Sequence, residues 1–434
     1  MSINRQIMRI AVPSIVSNIT VPLLGLVDLA IVGHLGATEF IGAISVGGMI
    51  FNVMYWVFGF IRMGSSGLTA QAYGRRDFSE TAQLISRGVV ISLTISLLLI
   101  LLQRPIYHAT MWIMSPDAQV ERYVKTYFDI CIWGAPPSLL LFAFSGWFLG
   151  MQDSRTPMMV AILQNLTNIA TSLLFVYAMG MKVEGVALGT LIAQYVGLAV
   201  ALVVYMWRYR KVRSLLNWSK VMQRSQMASF FKVNRDIFLR TICLVAVFLF
   251  FTSAGSWQGN AILAVNTLLM QFFMFFSYIM DGFAYAGEAL AGKFYGANDA
   301  GSMRFVVRRL FMWGAAMTLL FSLAYFLADS QIISLLTDDP AVITSAQDYS
   351  FWTWLFPMAG VAAFIWDGVF VGITASRGLL LSSAIATALF FAAYFLLFSS
   401  LANHALWMAF IIYLAARGLS QTVIYRNIMR RHNA

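Results

Sequence analysis

Apolar residues run along this chain in long blocks, each closed by a short polar break. A helix rises about 1.5 Å per residue and the hydrocarbon core of a bilayer is about 30 Å thick, so roughly 20 mostly apolar residues make one crossing. Blocks of that length predict helices 1 to 6 near residues 8–32, 40–63, 82–102, 123–149, 156–178 and 184–207. Helices 7 to 12 follow near 236–253, 260–288, 305–328, 346–371, 378–398 and 403–425. The first block, with Arg5 and Arg9 around its start, has the charge order of a secretory leader. Its length and the interruptions at Pro13, Pro22 and Asp28 make it the first spanning helix instead.

Two polar stretches recur at one offset of 222 residues. Tyr73, Gly74 and Asp77 after helix 2 match Tyr295, Gly296 and Asp299 after helix 8, while Phe148, Gly150, Ser154 and Arg155 match Phe370, Gly372, Ser376 and Arg377. A shared offset points to an internal duplication. Six crossings separate the copies, so both halves run the same way through the membrane, as in transporters whose halves are related by an axis along the membrane normal. The expected fold class is an all-α membrane protein of twelve transmembrane helices in two pseudo-symmetric six-helix bundles. The expected division is 1–215, the first bundle with the start of a linker, and 216–434, the rest of the linker and the second bundle.

Composition agrees with the pattern: of 434 residues, 60% are hydrophobic and 11% charged, more apolar surface than a globular core of this size buries. The formal charge of +11 would suit nucleic acid only on a basic face or tail, and here the basic residues lie mainly in short loops. No nucleic-acid partner is expected. Those loops set the orientation, because Lys and Arg stay cytoplasmic. Arg75 and Arg76, Arg155, Lys293 and Arg304, and Arg377 fall in alternate connections, and Arg426, Arg430 and Arg431 end the chain. The connection after helix 6 carries Arg208, Arg210, Lys211, Arg213, Lys220, Arg224, Lys232 and Arg235 before its first acid, Asp236. The loop after helix 9 holds Asp329, Asp338, Asp339 and Asp348 without a basic residue. Both termini are expected in the cytoplasm, with the bilayer as the main partner.

Charged residues inside a span are costly, about 2.5–3.5 kcal/mol each at the bilayer centre on insertion scales, so those that persist face protein or water. Asp28 in helix 1 sits in the stretch PLLGLVD, six residues after Pro22. Burial disfavours the charged form of a carboxylate, which makes Asp28 the candidate proton carrier. Pro22 interrupts the hydrogen bonding of its helix and supplies a hinge that protonation can work on. Asn165, Asn168 and Ser172 share one face of helix 5, and Thr190 and Gln194 one face of helix 6. They are suited to partner a carboxylate, or simply to join helices. In the second half Asp281 and Glu288 lie seven apart on helix 8, at a depth comparable with Arg62 of helix 2, and Asp367 is the acid of helix 10. These four are the candidate second-half cavity or gate residues: Arg62 is expected to pair with Asp281 or Glu288 across the halves when the inner side is closed, with independent interfacial anchoring as the alternative, and for Asp367 the alternative is packing.

Other signals carry less. Gly287 to Lys293 spells GEALAGK, but Phe294 replaces the Ser or Thr of a phosphate loop. The histidines, His34, His108, His404 and His432, are expected in loops or the tail, and Cys131 and Cys243 lie inside apolar runs, so no metal site or disulfide framework is expected. The abundant Met and Phe suit an adaptable apolar cavity, although lipid contact and packing account for most of them.

The segments SNITVPLLGLVDLAIVGHLG, LTAQAYG, DGFAYAGEALAGKFYG and DGVFVGITASR resemble the multidrug and toxic compound extrusion (MATE) family, in its DinF branch, over essentially the whole chain. The resemblance implies two bundles in a V, an efflux cavity between them, and export of cationic or amphipathic small molecules driven by cation entry, usually protons in this branch. By residue, it makes Asp28 the ion-binding carboxylate and Asn168 and Thr190 its polar partners. Ser172 stands where many relatives place a second acid, which leaves Asp28 to carry the proton alone and makes sodium the less expected ion. No catalytic residue and no cofactor beyond the coupling ion, H+ or alternatively Na+, is expected, in a monomer of a bacterial cytoplasmic membrane. A lipid-linked precursor flippase is the second transporter reading. An enzyme is disfavoured by the scarcity of His and Cys, and a channel by the lack of charged rings.

Overall fold

A computed structural model describes residues 2–34 and 38–432. Among them, twelve helices are long and apolar enough to cross a membrane. We number these α1 (Ile3–Gly33), α2 (Glu39–Gly74), α3 (Phe78–Leu101), α4 (Ala118–Gly150), α5 (Arg155–Ala178) and α6 (Val183–Arg208). The second set is α7 (Arg224–Trp257), α8 (Asn260–Gly296), α9 (Ala300–Leu336), α10 (Phe351–Gly372), α11 (Ser376–Leu401) and α12 (Asn403–Arg430). Every expected span is present. Several reach further than hydropathy alone suggests: α7 begins at Arg224 rather than near 236, because the basic residues ahead of its apolar block are themselves helical. His404, expected in a loop, lies in the first turn of α12, where its Nδ1 is 3.1 Å from Trp352 Nε1.

The chain packs as two compact units, Val16–Phe231 and Met1–Ile15 with Lys232–Ala434. In the first, α2 is broken at Gly59 and α4 by a 3-10 turn at Ile132–Gly134. Its core gathers on Trp147, fully buried, whose Nε1 donates to the Thr81 carbonyl at 2.8 Å and whose ring meets Tyr205 and Tyr209 edge-on. The chain leaving α6 folds back onto α3. Arg87, only 1% exposed, pairs with Glu80 at 2.6 Å and donates to the carbonyls of Lys220 and Val221, while Gln83 bonds Leu215 and Asn217 of the same segment. The division expected at 215/216 falls inside this fastened segment, and by internal contacts the first unit runs on to Phe231.

The second unit has a core of Phe276, Phe356, Trp407 and Phe410, all buried. A polar knot joins α8 to α12: Asn266 and Asn403 exchange side-chain hydrogen bonds at 2.8 and 2.9 Å, and Trp407 Nε1 adds a third at 2.9 Å. Bonds of this kind hold helices together where lipid offers no hydrophobic drive between them. Leu101, Leu319 and Leu396 are largely exposed, as lipid-facing residues must be.

The 222-residue offset reappears in local geometry. Asp77 caps α3 by accepting from Glu80 N at 2.9 Å, and Asp299 caps α9 from Ser302 N at the same distance. Those bonds from Ser302 hold the exposed Asp299 carboxyl below its ordinary range. Arg76 and Asn298 both take positive φ, 61° and 55°, as do Gln152 and Thr374 at 66° and 54°. Helix crossings repeat too. A Cβ on Gly146 would stand 2.1 Å from the Arg62 carbonyl oxygen, and one on Gly368 would stand 2.0 Å from that of Ala284, 222 residues on in each case. Small residues permit such backbone approach. Gly146→Ala and Gly368→Ala should therefore each lower stability by about 1–3 kcal/mol through overpacking, against a smaller gain in helix propensity. Thermal unfolding of the purified variants in detergent checks this, and a rise in Tm for either would contradict the close crossing.

Candidate functional site

Asp28 lies in the first unit, 7% exposed, on the stretch of α1 that follows Pro22. Residues on both sides of Pro22 remain helical. Asn168 of α5, fully buried, lies beside the Asp28 carboxyl. The same amide donates to Thr190 Oγ1 of α6 at 2.9 Å, and its Oδ1 accepts from Ser172 Oγ at 3.4 Å. Close packing of α5 on α6 sets this arrangement: a Cβ on Gly189 would fall 2.3 Å from Ser172 Oγ, so glycine is what lets the next residue, Thr190, reach Asn168. Asp28 Oδ1 is buried with no hydrogen-bond partner among the described residues. An ionised carboxylate is costly in such a place, and a proton removes the cost.

The remaining members of the expected polar face do other things. Asn165 Nδ2 donates to the Thr20 carbonyl at 3.1 Å, tying α5 to the backbone of α1 two residues ahead of Pro22. Gln194 is half-buried and presses on Gly134, where a Cβ would lie 1.8 Å from its Oε1. Beyond Ser172, α5 ends in a π-helical stretch, Leu174–Ala178, and Tyr177 from it donates to the Ile31 carbonyl at 3.2 Å. Insertions of this type often sit beside functional residues. Two further neighbours come from α4: Tyr127, not named from the sequence, and Cys131, named there only as a cysteine inside an apolar run. Tyr127 and Cys131 of α4 are buried and lie near Asp28 and Thr190, and Cys131 Sγ is 3.8 Å from the Ala187 carbonyl oxygen. Their spacing of four on one helix face was the available signal.

The second unit holds a different cluster. Asp367 of α10 is 7% exposed and accepts from three side chains: Arg240 of α7, Arg417 of α12 at 2.7 Å, and Gln421 of α12 at 2.6 Å. Arg417 also lies against the Tyr413 ring, 5.5 Å from its centroid. Both arginines are buried, so one acid is set among two cations. Neither arginine was named from the sequence, although a charge inside a span is itself a signal; their shared partner Asp367 lies 127 and 50 residues away in the chain. Glu288 of α8 is buried, Asp281 half-buried, and in the first unit Arg62 is half-buried. The GEALAGK stretch is helical throughout, inside α8.

Two related sets of six spanning helices, each with buried charge in its interior, define a polytopic membrane transporter of duplicated architecture. The chain matches the MatE family model twice, at residues 13–174 and 237–396, and belongs to that family of multidrug efflux transporters. It is 36% identical over 433 residues to DNA damage-inducible protein F of Escherichia coli (strain K12), covering 99% of this chain and 93% of that protein. It is 22% identical over 350 residues to the probable multidrug resistance protein NorM of Thermotoga maritima, covering 79% of this chain and 74% of that one. The fold is that of a crystal structure of MATE in the bent conformation, with a TM-score of 0.90 over 100% of this chain and 97% of that one at 16% identity.

Proposed function

We propose that the chain is a proton-coupled antiporter exporting cationic or amphipathic toxic compounds, with Asp28 as the point of proton exchange. The observation that carries this reading is a buried carboxyl set beside Asn168, with its Oδ1 lacking any hydrogen-bond partner among the described residues. Such a group is costly when charged and comfortable when protonated, so its protonation state is coupled to any change that exposes it. Asn168, Ser172 and Thr190 hold the side chain in place, and Asn165 and Tyr177 link α5 to α1 on either side of it. A sodium ion would need a cage of oxygens instead, yet Asn168 Oδ1 is already engaged by Ser172, and Thr190 Oγ1 by Asn168. Asp367 is a poor second cation site, because two guanidiniums already outnumber it. The name of the NorM relative, a probable multidrug resistance protein, supports the substrate class. In this reading the protein is a monomer in the inner membrane with both termini in the cytoplasm, in line with its basic loops.

The test is efflux of a cationic dye from proteoliposomes under an imposed pH gradient or an imposed sodium gradient. Efflux driven by the pH gradient alone is expected. Efflux driven only by sodium would replace the coupling ion, and inertness toward every dye under both gradients would favour the flippase reading.

A further inference from the structure

At the meeting of the α9 N-terminus with the last turns of α12, a cavity of about 290 Å³ is lined by Arg304, Tyr425, Arg426, Met429 and Arg430. Three of the five lining residues are arginines and none is acidic. Arg426 and Arg430 are one helical turn apart on the same face of α12, a like-charge spacing that destabilises an isolated helix. Arg304 adds a third positive charge from a different helix. None of the three forms an ion pair among the described residues, whereas the arginines deeper in this unit, Arg240 and Arg417, both hold Asp367. The floor is a fixed aromatic surface. Tyr425 packs against Trp366 with ring centroids 4.3 Å apart and planes tilted by 38°, and Trp366 is locked in turn by its Nε1 bond to Thr422 Oγ1 at 2.7 Å. The Tyr425 hydroxyl is buried there with no hydrogen-bond partner among the described residues.

Guanidiniums from two helices lining one cavity, with no carboxylate among them, are the chemistry that recognises a phosphate group, which accepts several charge-assisted hydrogen bonds at once. The volume is at the lower limit for drug-sized ligands, about 300–1,000 Å³, and suits a phosphate with a small attached group. Its place at the ends of two spanning helices puts it at headgroup depth, where basic clusters attract anionic lipid. We propose that this cavity is a binding site for a phosphate-bearing anion, carried either by the headgroup of an anionic phospholipid or by a soluble phosphate. The site is independent of Asp28 and of the transport reading.

Thermal unfolding of the purified full chain in a neutral detergent tests it, with short-chain phosphatidylglycerol, phosphatidylcholine as the zwitterionic control, and inorganic phosphate at matched ionic strength. Phosphatidylglycerol should raise Tm more than phosphatidylcholine does. A response to phosphatidylglycerol without one to inorganic phosphate assigns the lipid source. A response to inorganic phosphate, with or without the lipid, shows that the phosphate group suffices. The apparent affinity should fall about thirtyfold in Arg426→Gln/Arg430→Gln and about fivefold in Arg304→Gln. Arg304→Gln, on another helix, decides the matter if the double variant does not fold. Equal behaviour of the two lipids with no phosphate response, or unchanged affinity in the folded variants, would overturn the proposal.

Discussion

Asp28→Asn is expected to reduce pH-gradient-driven dye efflux to the level of protein-free vesicles at equal protein content. The substitution keeps the size and shape of the side chain and removes its proton-binding step. Asn168 stays beside the new amide, which offers it a carbonyl oxygen of the same size and place as the carboxylate's. No cation is left unpaired, because Asp28 forms no ion pair among the described residues, so stability should change by only about 1 kcal/mol. The pairing of lost transport with retained Tm is what separates a proton carrier from a packing residue. Asn168→Ala should fall between, since Thr190 and Ser172 lose the amide that links them while the carboxylate remains. If Asp28→Asn vesicles responded to the pH gradient like wild type, Asp28 would have no part in coupling.

The repetitive side of this fold was open to reading because each repeated feature depends on one residue and its nearest neighbours in the chain. A capping Asp three residues ahead of the amide it serves recurs as Asp77 and Asp299, and spanning length alone finds the twelve helices. Helix ends were harder, since the amphipathic start of α7 is helical without being apolar. What stayed hidden depends on partners far apart in sequence. Arg87 reads as a lone charge near the start of α3 until Lys220 and Val221 arrive to accept from it. The Asp28 site was half legible. Asn168 and Thr190 were named from their polarity within apolar helices, whereas Tyr127 and Cys131, an aromatic ring and a small thiol, stand out less from the packing residues around them in α4. Asn165 shares a helix face with Asn168, yet one turn is enough to send it to the backbone of α1 instead of to Asp28.

Asp367, named from the sequence as a candidate cavity or gate residue, has partners that lie far off in the chain: with Arg240 and Arg417 both donating to it, the arrangement is an anion compensating two buried cations. The three possible deletions then differ in kind. Arg417→Met leaves Asp367 with Arg240, a balanced pair, and should cost comparatively little. Arg240→Met likewise leaves the Arg417 pair. Asp367→Ala strands two positive charges in one bundle and should cost about 3–5 kcal/mol, the usual penalty for removing one partner of a buried ion pair. Replacing all three by apolar residues of similar volume removes every charge together and should restore most of that loss. Thermal unfolding of the four variants, purified in detergent, reads the order directly. A tolerated Asp367→Ala, or a triple variant no more stable than Asp367→Ala, would show that the charges are solvated and that Asp367 is free to serve another role.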